Sequence, residues 1–367
     1  MTILSKAVPS RTHVSLAACA FVVALGAACI AGSPVRSAPA GAVLSCREAV
    51  LTSAAQPPDV TWRLAGDGQR AALDAWCRGV GPAVYGVPTP STSFDPAVRL
   101  AVVSWNVNVG GGDLDALVAD LRAGRLSHGR PVEHFVLLLQ EALRRGPAVP
   151  AIEGGQAGAR RLVRAGRPVE IDAFARRAGL SLFYVPSMRN GFMDEGAAED
   201  RGNAILSTLP LTDLRAIELP FERQRRVAAA ATIVGTADTP VGRLDLPITV
   251  ASVHLDPFVS SRRLWLAGVA GARRRQARAI AEAVPASGPL VIGGDFNTWL
   301  GVDEPALAEM RRISDPGPLP REATFANGRV LDYLFFRIPA PGRWTSARAP
   351  RTYGSDHYPL VGWIELR

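Results

Sequence analysis

Cysteine and histidine are scarce in this 367-residue chain: four of one and five of the other. Neither Cys46 nor Cys77 has the CxxC spacing of a metal knuckle or redox motif, which argues against zinc-ribbon and thioredoxin-like chemistry. Lysine is rarer still, Lys6 being the only one among 41 basic residues. Arginine carries the remaining positive charge, as phosphate recognition by a planar fork would favour and as genome composition would equally produce. No repeat of solenoid period is present, which sets aside array architectures. With 48% hydrophobic and 20% charged residues, the chain is neither a disordered tail nor a fibre, and it can bury one large core or two ordinary ones.

Acidic residues are missing from the first forty positions. There Lys6 and Arg11 precede the uncharged run "VSLAACAFVVALGAACIAG", and "SPVRSAPA" places small residues at Ala38 and Ala40. This is the layout of a secretory signal over residues 1–40. An uncleaved membrane anchor is the alternative, because the run is nearly long enough to span a bilayer. The expected location is therefore secreted or periplasmic, or else membrane-anchored. Cys19 and Cys29 would leave with the leader, and the remaining pair, Cys46 and Cys77, most simply forms a disulfide within an N-terminal extension, residues 41–95. Net charge is +8; without Lys6, Arg11 and Arg36 it is 38 minus 33, or +5, a mild basicity that fits an anionic substrate.

From about residue 98 apolar runs recur: "VRLAVVSWNV", "HFVLLLQE", "LSLFYVPS", "GNAILST", "RVAAAATIVG", "LPITVASVHL", "PLVIGGDFN", "VLDYLFF" and "HYPLVGWIEL". Helical patterns over 113–124, 170–179 and about 262–284 interrupt them. The mixture predicts an α/β domain, residues 96–367, of two stacked sheets flanked by helices. Within the last helix, "RRRQARAIAEAV" reads either as a basic nucleic-acid helix or as a structural one. Two stretches, 144–168 and 187–201, read as long loops. The first holds Arg144, Arg145, Arg160, Arg161, Arg164 and Arg167, either a clamp for a phosphate backbone or a solvated surface.

The informative positions are the ends of the apolar runs. There stand Asn106, Gln140 with Glu141, His254 with Asp256, Asp295 with Asn297, Asp332, and Asp356 with His357. Singly, each has a plainer reading: Asn106 as a cap, Glu141 as a solvated strand end, Asp332 or His254 as a satisfied core group, Asp295 and Asn297 as a turn. Together they are hard oxygen donors with two imidazoles and no thiol, which suits Mg²⁺ or Mn²⁺ better than Zn²⁺. Such an ion partners phosphate oxygens, and the histidines add proton handling and hydrogen bonds.

The ordered set "SWNV", "LLLQE", "RGNAILS", "SVHL", "GGDFNT", "LDYLF" and "SDHYPL" resembles the endonuclease/exonuclease/phosphatase superfamily over residues 98–367. The resemblance implies a four-layered α/β sandwich with two stacked mixed or antiparallel sheets. It implies that Glu141, Asn106 and Asp356 form the metal site for Mg²⁺ or Mn²⁺. Asp295 and Asn297 would orient or activate water, His357 would hold the phosphate or act as base with Asp332 orienting it, and His254 would steady the transition state. Asn203 becomes a candidate phosphate contact. The function implied is a metal-dependent phosphodiesterase, first an extracellular nuclease, second a sphingomyelinase-like or inositol-phosphate or lipid phosphoesterase. The rival from another class is a binding module with the same fold. Partners are a phosphate ester, nucleic acid among them, with no protein partner expected and membrane contact only if the leader is retained. Trp265 and Trp299 could stack on a base or touch lipid.

Overall fold

A computed structural model describes residues 33–35, 45–51, 59–64, 66–86, 99–150, 162, 168–191, 198–239, 242–257, 270–317, 320 and 322–366. In chain order the elements are β1 (Ser33–Val35), β2 (Ala49–Leu51), β3 (Val60–Arg63), α1 (Arg70–Cys77), β4 (Ala83–Gly86), β5 (Leu100–Asn106), α2 (Leu114–Arg122), β6 (Phe135–Arg145), α3 (Ile171–Ala178) and β7 (Ser181–Arg189). They continue with β8 (Glu199–Ser207), β9 (Thr212–Glu218), β10 (Val227–Thr239), β11 (Gly242–His254), α4 (Ala270–Ala283), β12 (Leu290–Asp295), α5 (Pro305–Arg311), β13 (Asp332–Arg337), β14 (Arg343–Arg348) and β15 (Leu360–Glu365).

The strands form two mixed sheets. One has the order β1-β3-β9-β10-β11-β12-β13, the other β14-β15-β5-β6-β8-β7-β4-β2. Because side chains alternate along a strand, each sheet offers two buried faces. Val102, Leu138, Ile205, Val250, Val291 and Leu334 belong to the core between the sheets. Their sequence neighbours face outward: Val103, Leu139 and Leu206 pack under Leu117 and Leu121 of α2 and Phe174 of α3. Ala251, Ile292 and Phe335 pack under Ala277 and Ile280 of α4 and Leu307 and Met310 of α5. The layers run helix, sheet, sheet, helix, the expected four-layered sandwich. All nine apolar runs are strands, and they carry the centres of both sheets.

Several expectations shift in detail. The Asp113 side chain accepts from Ala116 N and caps α2, so Asn106 is free of that duty. Of the helical pattern over 262–284, α4 is described from Ala270; residues 258–269, including Trp265, lie outside the described residues, as do residues 1–32 of the leader. In α4, Arg273 is buried against Glu304, and Gln276 bonds Asp256 N and Pro220 O, so this basic helix is packed into the fold. Arg144 is no phosphate clamp: it is buried, paired through two nitrogens with Asp200, and donates to Pro82 O. Arg145 is likewise paired with Glu199. Both lie in β6, which runs further than the sequence pattern indicates; Arg160, Arg161, Arg164 and Arg167 are outside the described residues.

The segment expected as an N-terminal extension adds strands to the sheets. β3 pairs with β9 in one sheet and β4 with β7 in the other, while Cys46 and Cys77 form a disulfide with Cα atoms 5.4 Å apart. Three- and four-residue strands leave too little alternation to read, which explains their absence from the sequence pattern. No helix among the described residues is long and apolar enough to cross a membrane.

Candidate active site

The inner faces of five strands become polar toward one end. β5 reads Val102, Ser104, Asn106; β6 Leu138, Gln140; β11 Val250, Ser252, His254; β12 Val291, Gly293, Asp295; and β13, which runs oppositely, Leu334, Asp332. Register completes the arrangement. His254 lies opposite Asp295 in the parallel β11–β12 pair, and Asp295 lies opposite Asp332 in the antiparallel β12–β13 pair. Three candidate site side chains thus stand in a row across one sheet, where its ladder ends.

Gly293 brings the second sheet to that row. A Cβ there would lie 2.7 Å from Ser104 Cβ and 2.9 Å from Leu138 Cδ1, so only glycine permits this separation of the sheets. Across the gap Asn106 Nδ2 donates to Asp295 Oδ2 at 3.1 Å. Asn106 is itself fixed, its Oδ1 accepting from Asn108 N at 2.9 Å.

Asp295 is the hub. Its Oδ1 accepts from Asn297 N at 2.9 Å, while its Oδ2 lies 3.4 Å from His254 Nε2 and 3.8 Å from His357 Nε2. Asp332 Oδ2 is 2.8 Å from His357 Nδ1. The loop before β15 is anchored to β5 at two points, Trp105 Nε1 donating to His357 O and Ser355 Oγ donating to Asn106 O, and is closed internally by His357 N donating to Ser355 Oγ. The ring of Phe325 covers that of His357 at 4.6 Å between centroids.

These buried groups hold unusual protonation states. Burial pushes the Asp295 carboxyl up to about 7 against the pull of His357, and Asp332 adds to the rise. Burial alone would lower His357, but Asp332, followed by Asp295 and Asp356, raises it to about 10. At neutral pH His357 is therefore an imidazolium, bonded by Asp332 on one side and facing Asp295 on the other. His254 is the opposite case: burial, then the positive charges of Arg226, His357 and Arg201, hold it well below its ordinary value. Its 3.4 Å approach to Asp295 is consequently a contact of a neutral ring, not an ion pair.

Two buried side chains bordering the cluster were not among the expected site residues. Arg201 in β8 and Arg226 just before β10 are 8% and 5% exposed. Arg201 Nη1 lies 3.7 Å from Glu141 Oε2, too far for a hydrogen bond, and its Nε and Nη1 are buried without partners. Arg226 Nε is likewise buried without a partner, and among the described residues no hydrogen bond or ion pair holds its guanidinium. Burial lowers Arg226 from its ordinary value while Asp256, Glu141 and Asp295 oppose the shift, so it borders the same cluster. Partnerless buried cationic donors are costly unless an anion completes them. The available signals were the arginines heading "RGNAILS" and the otherwise apolar "RVAAAATIVG".

The other expected residues are placed as follows. Glu141 sits at a register shift of β6 between Leu139 and Ala142, with φ 55°, a left-handed conformation that turns its half-buried carboxylate out of the ladder. Asn297, φ 50°, donates from Nδ2 to Leu255 O at 3.0 Å. Asn203 donates from Nδ2 to the carbonyls of Val227 at 2.6 Å and Ser252 at 3.3 Å, which ties the two sheets together and occupies the amide nitrogen expected to meet phosphate. Asp356 is half-buried, beside Ser355. Among the described residues Asp295, Asp332 and His357 bring one ligand atom each within 4.8 Å of one another. Asp332 and His357 already bond each other, while Asp332 Oδ1 is buried without a partner. Hard carboxylate oxygens at Glu141, Asp295 and Asp332 suit a magnesium-like ion.

Comparison with known proteins identifies the family. The model of the Endonuclease/Exonuclease/phosphatase family matches residues 103–357. Similar solved structures include an endonuclease/exonuclease/phosphatase from Beutenbergia cavernae, 20% identical, covering 73% of this chain and 72% of that one with a TM-score of 0.48. A family protein from Leptotrichia buccalis is 14% identical over 73% and 99% of the two chains, TM-score 0.46. The human Nocturnin catalytic domain with bound sulfate is 17% identical over 75% and 97%, TM-score 0.46. No curated protein matches the chain. The family match spans the strand ends from β5 to His357, and the chain belongs to the endonuclease/exonuclease/phosphatase family, hydrolases of phosphate esters.

Proposed function

We propose that this chain is an exported, divalent-metal-dependent phosphodiesterase whose substrate is nucleic acid. The observation that carries the reading is the buried hub at Asp295, ringed by Asn106, His254 and His357 and bordered by Arg201 and Arg226, whose buried Nε atoms have no hydrogen-bond partner. A cluster of this kind is completed by a dianionic or monoanionic phosphate ester.

Each side chain then has a part in an in-line displacement. Asp295, with its carboxyl pushed up to about 7, accepts the proton of the attacking water. Asn106 and the Asn297 backbone orient that carboxylate. The His357 imidazolium, positioned by Asp332, donates from Nε2 to a nonbridging oxygen, and neutral His254 adds a second hydrogen bond. Arg201 and Arg226 neutralise charge on the phosphoryl oxygens. Glu141, with Asn106 and Asp356 at its side, would hold the ion, whose chemistry is to polarise the phosphate.

Nucleic acid is favoured over lipid by the mild basicity of the chain, +5 without the first forty residues, which suits a polyanion. The disulfide supports an oxidising compartment and hence export. The test is hydrolysis of bis-p-nitrophenyl phosphate, plasmid DNA, RNA and sphingomyelin with Mg²⁺ or Mn²⁺, beside His357→Ala and a chelator control. Metal-dependent cleavage of DNA or RNA that is lost in the variant is expected. Preference for sphingomyelin would move the chain to the lipid branch, and silence on every ester would leave a binding module.

A further inference from the structure

The turn between β9 and β10, residues 219–226, ends in Arg226 and is held from behind by the segment that the Cys46–Cys77 disulfide closes. Gln69 grips its backbone twice, Nε2 donating to Phe221 O at 2.5 Å and Oε1 accepting from Phe221 N at 2.7 Å. Trp76 meets the Phe221 ring edge-on at 5.9 Å between centroids. Arg47, next to Cys46, donates from Nε at 3.1 Å and Nη2 at 2.9 Å to Glu218 Oε2, and from Nη1 to Asp74 Oδ1 at 2.6 Å. Glu218 Oε1 accepts from Arg225 Nε at 2.5 Å, and Arg225 Nη1 donates to the carbonyls of Pro186 and Ser187.

Arg225 and Glu218 are buried, and the next residue is Arg226. Leu219 N donates to Arg226 O at 2.9 Å and closes the turn. The contacts therefore run from a covalent crosslink, through half-buried Arg47 and the buried Glu218–Arg225 pair, to a guanidinium that no described residue holds directly. A long side chain without a partner is placed by its backbone alone, so whatever holds the turn sets where the charge stands.

We propose that the segment between Cys46 and Cys77 is a clamp that sets the affinity of the site for phosphate by holding Arg226 in place, with Gln69 as its positioning residue. The proposal rests on the phosphate-binding reading of the site. It assigns the disulfide segment a role in function that its location at the edge of both sheets would not require.

Binding of inorganic phosphate to the full chain in Mg²⁺, followed by the phosphate-induced rise in Tm, reads the clamp without requiring turnover. Inhibition of bis-p-nitrophenyl phosphate hydrolysis by phosphate reads it again. Gln69→Ala is expected to weaken phosphate about 3- to 30-fold, the range of indirect coupling between residues, with KM rising and kcat nearly unchanged. In an Arg226→Gln background, Gln69→Ala is expected to add nothing, because the two act as one unit. An unchanged phosphate affinity beside a lowered Tm, or an equal effect in the Arg226→Gln background, would show the segment to be merely structural and overturn the proposal. Should Gln69→Ala not fold, Arg47→Met carries the same expectations. Wild-type protein that neither binds phosphate nor turns over would overturn the phosphoesterase reading itself, whereas binding by wild type with an unaffected variant overturns the clamp alone.

Discussion

Asp332 binds Nδ1 of His357 at 2.8 Å while Nε2 of the same ring lies 3.8 Å from Asp295, so one imidazole stands between two buried carboxylates. Asp332 is the largest of the influences raising His357 to about 10. In Asp332→Asn the imidazolium loses that support. Activity that declines only as pH approaches about 10 in the wild type is expected to decline at lower pH in the variant. The rate should also fall about 10²- to 10⁴-fold, the usual scale for a displaced acid–base group. A pH–kcat profile of both proteins checks this, and an unmoved alkaline limb would remove Asp332 from the dyad.

His254 carries the opposite linkage. Its folded pKa lies well below its ordinary value of 6.5, because burial and then Arg226, His357 and Arg201 disfavour its charged form. Between the two values the unfolded chain binds a proton that the folded chain does not. Stability from this group is complete above about 6.5 and is lost as pH falls below it. Urea denaturation at pH 7.5 and pH 5 should show a smaller difference in His254→Gln than in wild type. An identical loss in both proteins would place the acid sensitivity elsewhere.

Glu141 is the exposed end of the carboxylate set, turned outward by its left-handed conformation at the β6 irregularity. Its carboxylate has no hydrogen bond among the described residues, only Arg201 at 3.7 Å. Chelation is expected to abolish phosphodiester turnover and Mg²⁺ or Mn²⁺ to restore it, while Glu141→Gln should raise the metal concentration needed for half-maximal rate by about 10-fold or more. Metal titration of activity measures this directly. Equal metal requirement in both proteins would put the ion at Asp295, Asp332 and His357 instead.

Most of the candidate site row was legible because period-two alternation aligns it with the core. Asn106 is two residues beyond Ser104 and four beyond Val102, and the same count joins His254 to Val250 and Asp295 to Val291. A reader of apolar runs therefore finds the site at their polar ends. Arg201 and Arg226 were not legible as site residues, since a buried arginine is indistinguishable in sequence from a solvated one until its partners are known. The outer strands failed for another reason. β14 is "RWTSAR", alternating between exposed and half-buried, and β9 is "TDLRAIE"; neither is apolar enough to stand out from a loop. α5, seven residues long, is shorter than the window in which helical periodicity shows.

Gly293 shows how closely fold and chemistry are joined. It lies on the inner face of β12 between Val291 of the core and Asp295 of the site, and its missing side chain lets Ser104 and Leu138 of the other sheet approach. In Gly293→Ala the new methyl would fall 2.7 Å from Ser104 Cβ, and the nearest atoms belong to two strands of a packed sheet that cannot move singly. Separation of the sheets at this end is the expected relief, at a cost of about 1–3 kcal/mol in stability. The 3.1 Å bond from Asn106 to Asp295 crosses that same gap, so its loss should accompany the separation. Freed of the bond, the Asp295 carboxyl should titrate still higher, because Asn106 is among the groups that hold it down. The acid limb of the pH–rate profile should then move upward from about 7 while Tm falls. A fall in Tm with an unmoved acid limb would mean that the glycine serves packing alone, and that Asp295 does not depend on the second sheet for its protonation.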